Sequence, residues 1–91
     1  MSEATSEKTN TEKARDIVTQ LKEMQHYSKT NVEKLAGFWL IMEEEVKIED
    51  FAQKVDELLR IENAFQDQLD ATISDIEMTC NRIENEATET A

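Results

Sequence analysis

From Ala14 onward, apolar side chains recur at alternating spacings of three and four residues. In heptad notation, Ala14, Leu21, Ser28, Leu35 and Met42 stand at a, Ile17, Met24, Asn31 and Phe38 at d, and Val18, Gln25, Val32, Trp39 and Val46 at e. A second set places Ile48, Val55, Glu62, Leu69, Ile76 and Ile83 at a, Phe51, Leu58, Phe65, Thr72 and Thr79 at d, and Ala52, Leu59, Gln66, Ile73, Cys80 and Ala87 at e. Sustained heptads of this kind belong to long amphipathic helices. The two sets are out of phase, because Met42 and Ile48 are both a positions yet lie six residues apart. A continuous helix would absorb that slip only by rotating its seam by about 100°.

The pattern therefore predicts a break between residues 43 and 49, with one helix over about 10–44 and a second over about 49–85. Folded back on each other, they form an antiparallel αα-hairpin, an all-α unit that assembles further into a helical bundle or coiled coil. One long broken helix is the alternative, since the linker Glu43 to Ile48 has no Gly or Pro and sets Glu43 and Lys47 at a favourable i, i+4 spacing. The first helix has a marked start: Thr9 with Glu12 three residues later is the reciprocal arrangement that satisfies two orphan backbone donors. Residues 1–10 and 86–91 carry no apolar period and read as disordered tails around a helical domain at 11–85. The poor helix formers of Tyr27-Ser28-Lys29-Thr30-Asn31 mark a place where the first helix is open to a kink or a split.

An a/d/e stripe is more than ~100° wide, so each helix needs neighbours on two sides, and a lone hairpin supplies one. The remaining apolar surface calls for further helices, from a second copy or from other coiled-coil proteins. Its densest stretch is Phe38-Trp39-Leu40-Ile41-Met42, which wraps round the helix and carries Leu40 at the usually solvated f position. Tryptophan is enriched at interface hot spots. The candidate interface is therefore Leu35, Phe38, Trp39, Leu40, Ile41 and Met42 on the first helix, with Phe51, Leu58, Leu59, Phe65, Leu69, Ile73 and Ile76 on the second. Glu62 at a, with Thr72 and Thr79 at d, interrupts the second stripe. Such polar layers set register at a cost in stability; at a bundle edge, the Glu62 carboxylate would instead sit in water.

Composition narrows the picture without moving it. The 91 residues include no Pro and a single Gly, Gly37, which argues against tight turns and sheets. The net charge is -11 and unevenly placed: residues 1–42 hold six acids and six bases, residues 43–91 fifteen acids and four bases. Such a field disfavours nucleic acid and anionic lipid, both of which need a basic stripe to displace counterions. The longest apolar run, Leu35 to Met42, is far short of the ~20 residues that span a bilayer. The first ten residues lack the apolar core of a signal peptide. One cysteine, Cys80, excludes an intramolecular disulfide and reads as a small buried residue; one histidine, His26 at f, reads as a surface side chain. Neither they nor Glu43-Glu44-Glu45, which lacks calcium-loop spacing, supply a catalytic, metal or cofactor site, and no small-molecule substrate is implied.

Trp39 late in the first helix and Arg60-Ile61-Glu62-Asn63-Ala64-Phe65 early in the second, within an acidic chain of this length, resemble the small central-element proteins of the meiotic synaptonemal complex. The resemblance covers the helical part and implies a nuclear, chromosome-associated protein that dimerises and assembles with other coiled-coil proteins to hold paired chromosomes together. The connection differs, being more loop-like and proline-containing in that family. Two functional classes follow. One is a non-enzymatic structural subunit of a coiled-coil assembly; the other is an acidic adaptor whose second helix captures a basic amphipathic segment.

Overall fold

A computed structural model describes residues 9–90 of the chain, and side chains over 9–88. Two long helices form an antiparallel αα-hairpin: α1 spans Asn10–Ile41 and α2 spans Glu49–Thr90. No strand occurs among the described residues. The hairpin measures 65 × 29 × 15 Å, with a radius of gyration of 20.3 Å. A compact domain of this length would have a radius near ~12 Å. The short dimension is one helix thick, so both broad sides of the ribbon face solvent.

The start of α1 follows the local chemistry. The Thr9 amide donates to Glu12 Oε1 at 2.8 Å, and the Glu12 amide donates back to Thr9 Oγ1 at 3.2 Å, a complete capping box. The weak stretch Tyr27 to Asn31 does not interrupt α1. Two of its hydroxyls are bonded without disturbing the helix: Ser28 Oγ donates to Glu62 across the seam, and Thr30 Oγ1 donates to the His26 carbonyl oxygen at 3.4 Å.

The break lies where the heptad slip requires it. The α-helix ends at Ile41 rather than at 44, and Met42–Val46 widen into a π-helical turn closed by the Lys47 amide donating to the Met42 carbonyl at 2.8 Å. Lys47 then takes the left-handed conformation, at φ 61 and ψ 33, which reverses the chain without a glycine. This conformation costs a residue with a Cβ about 1–2 kcal/mol. The junction thus carries strain that burial elsewhere must offset.

At the other end the expectation of a tail from residue 86 needs correction, because α2 continues through Thr90. Glu86 and Ala87 are sound helix formers, Arg82 reaches Glu86 at 3.2 Å one turn on, and nothing before Thr90 terminates the helix. Of the expected N-terminal tail, residues 1–8 lie outside the described residues, while Thr9 and Asn10 belong to the helix start.

Candidate helix-packing interface

The seam between α1 and α2 uses only part of each stripe. From Val18 the seam positions of α1 step through Leu21, Gln25, Ser28, Val32, Leu35 and Trp39, and Met42 follows in the π-helical turn, the e and a rows alternating. On α2 they step through Ala52, Val55, Leu59, Glu62, Gln66, Leu69, Ile73, Ile76 and Cys80, again e and a. The tightest cluster is Val18, Leu69 and Ile73, with Leu21 and Ile76 packed against it. Cys80 is buried, its Sγ 3.9 Å from the Thr11 carbonyl oxygen, and His26 is exposed, its ring edge-on to Tyr27.

Polar residues enter the seam at Gln25 and Gln66 on the e rows and at Ser28 and Glu62 on the a rows. Ser28, 2% exposed, donates to Glu62 Oε2 at 2.6 Å, so two residues that break the apolar stripes meet each other. Satisfied in this way, the pair favours this register, because sliding α2 by one turn toward Leu59 would leave the buried Ser28 hydroxyl opposite an apolar side chain. No buried side-chain polar atom among the described residues lacks a partner.

The two broad sides of the ribbon differ in chemistry. On one side lie the b rows, where bases of α1 meet acids of α2. Arg15 makes a bidentate contact with Glu84, Nε at 2.9 Å and an η nitrogen at 2.8 Å, and the same η nitrogen donates to Asn81 at 2.8 Å. Lys22 pairs with Glu77 at 2.8 Å, and Gln25 donates to Asp70. The hydrogen bond from Arg15 holds the Glu84 carboxyl below the usual range, and the same bond raises the Arg15 guanidinium. Acids that gave α2 its excess charge are thus engaged by bases of the same chain.

On the other side lie the d rows, about 80° round each helix from the middle of the a/e seam. Equivalent rows of antiparallel helices fall on the same side of the pair. The groove lined by Met24, Asn31 and Phe65, with Ser28 and Glu62 at its floor and Tyr27 at its rim, shows the two rows side by side. Nothing covers them. Ile17, Met24, Phe38, Phe51, Leu58 and Phe65 are between 43% and 54% exposed.

The structure divides the thirteen interface candidates accordingly. Leu35, Trp39, Met42, Leu59, Leu69, Ile73 and Ile76 sit in the intramolecular seam, with Leu69 and Ile73 fully buried there. Phe38, Phe51, Leu58 and Phe65 lie on the open d rows, Ile41 on the g row beside them, and Leu40 is exposed at f on the outer surface. Four further members of the open surface were not among those candidates: Ile17 and Met24 at d, and Tyr27 and Ile61 at g. The two d residues were visible in the heptads; the g residues were not, because isolated apolar residues at g gain meaning only beside an uncovered d row.

Among the described residues no group of three or more His, Cys, Asp or Glu is placed to hold a metal ion, and no helix is long and apolar enough to cross a membrane. Set against known protein families, characterised proteins and solved structures, the chain matches none of them.

Proposed function

We propose that this chain is a non-enzymatic structural subunit that packs its open d-row surface against further helices in a multi-protein coiled-coil assembly. The observation that carries this reading is the uncovered double row of Ile17, Met24, Phe38, Phe51, Leu58 and Phe65 on a ribbon one helix thick. Monomeric proteins seldom leave a contiguous apolar surface of this kind in water. The internal core of fully buried apolar residues is small: Val18, Ala52, Leu69, Ile73 and Cys80. Folding and association are then coupled, and covering the d rows supplies burial that the hairpin lacks on its own.

The resemblance at Trp39 and Arg60 to Phe65 sets the proposed assembly in the nucleus, between paired meiotic chromosomes. A tagged chain should then lie along synapsed chromosomes and nowhere along unpaired ones.

The biochemical test is circular dichroism of the purified chain over a concentration series, with sedimentation equilibrium at each concentration. The subunit reading expects a marginal hairpin whose thermal midpoint rises as it associates. A fully helical monomer, melting cooperatively at one temperature whatever its concentration and whatever amphipathic helix is added, would sink it.

A further inference from the structure

The open surface has a rim, and the rim is basic although the molecule is acidic. It is formed by the g rows, which run beside the d rows on their outer edges. On α1 these are Lys13, Gln20, Tyr27, Lys34 and Ile41; on α2 they are Lys54, Ile61, Gln68, Asp75 and Arg82. On these two rows four bases stand against one acid in a chain of net charge -11, while the groove floor carries Glu62 and Arg82 is held by Glu86 on the neighbouring d row. In the half next to the chain reversal, the rim holds Lys34 and Lys54 with no acid between Tyr27 and Ile41 or between Lys54 and Gln68 on these rows. Lys34 makes no ion pair among the described residues, and Lys54 holds Asp50 through an exposed 3.0 Å contact that exchanges partners at little cost.

Resting on the reading that the d rows pack against further helices, we infer that the occupant is an amphipathic helix of a different protein whose apolar stripe is flanked by Asp and Glu. It would lie in the groove between α1 and α2, making a three-helix unit. Its apolar stripe would cover Met24, Phe38, Phe51, Leu58 and Phe65. From the Phe51 layer to the Phe65 layer the groove runs about 21 Å, which is roughly four helical turns. Acids on either flank of that stripe reach Lys34 on one side and Lys54 on the other. A second copy of this chain fits less well, because the rows beside its own d positions carry the same lysines and would set rim against rim. A basic partner is drawn by the net charge but meets like charge at the groove itself.

The test sets local charge against global charge. Two designed peptides of about three heptads, both with Leu at a and d, carry Glu or Lys at e and g, and binding of each to the full chain is followed by fluorescence anisotropy at low and high salt. The groove predicts that the Glu peptide binds roughly three- to tenfold tighter than the Lys peptide, a preference that fades with salt. In the chain carrying Lys34→Glu and Lys54→Glu the preference reverses, while Phe65→Glu weakens both peptides. A wild-type preference for the Lys peptide, or no preference, overturns the proposal, as does a preference untouched by the two lysine substitutions. So does a chain that sediments as a dimer dissociated by Phe65→Glu and binds neither peptide; that result leaves the structural-subunit reading standing and assigns the groove to a second copy. A helicity measurement on each variant separates lost binding from lost folding.

Discussion

The half of the hairpin far from the chain reversal and the half beside it are built from the same heptads yet are finished differently. In the far half Val18, Leu69, Ile73 and Cys80 are buried, and Arg15–Glu84 and Lys22–Glu77 close one flank. Its d positions are mostly polar, with Asn10, Thr72 and Thr79 accompanying Ile17. In the near half only Ala52 among the apolar residues is fully buried, while Phe38, Ile41, Phe51, Leu58, Ile61 and Phe65 remain in water. The far half buries more of its apolar side chains, with Ile17 and Ile83 still exposed; the near half leaves its d rows in water. Apolar content therefore says little about stability until one knows which row it occupies.

The sharpest way to break this comparison is a matched pair of truncations. Leu69→Ala should cost the isolated chain about 2–5 kcal/mol by leaving a cavity in the far-half core. Leu58→Ala removes the same atoms from the open row and should stay within about 0.5 kcal/mol. Urea titrations of the two variants decide it, and equal losses would mean that the near half is already covered.

Next in size is the Ser28–Glu62 contact in the seam. Ser28→Ala takes from Glu62 its seam donor and should cost about 1.5 kcal/mol, whereas Ser28→Ala with Glu62→Leu should recover the loss and loosen the register, read as broadened amide resonances on both helices. The chain reversal responds in the opposite direction. Lys47→Gly relieves the left-handed strain and should stabilise the hairpin by up to about 1 kcal/mol, measured as a raised midpoint in urea.

The smallest effect belongs to the ionic flank of the far half. The Glu84 carboxyl is depressed in the fold, so its contribution is fully present above the ordinary carboxylate range and is lost as pH falls through the lowered value. Glu84→Gln should therefore melt slightly below the wild-type chain at neutral pH, the difference closing on acidification and in concentrated salt. Thermal melts from pH 7 down to about pH 3 follow it across the carboxylate range. A gap that persists at the acid end would remove the ion pair as its cause.

Much of this architecture was legible before the fold was known. The Thr9–Glu12 cap depends on residues three apart, the two helices on heptads, and the reversal between them on the six-residue spacing of Met42 and Ile48, one short of a heptad; all are local or periodic, so the chain states them directly. The end of α2 was misread because the lack of an apolar period shows only that no core faces a segment, and a solvated helix needs none. Heptads also gave a, d and e equal standing. Only the antiparallel pairing of α1 with α2 decided that a and e close on each other, that Ser28 meets Glu62, and that the d rows stay open. The physical reason is that one helix surface touches one neighbour along one line: a stripe wider than that line has to be divided, and where the division falls depends on the register and rotation of the partner, which no single helix encodes.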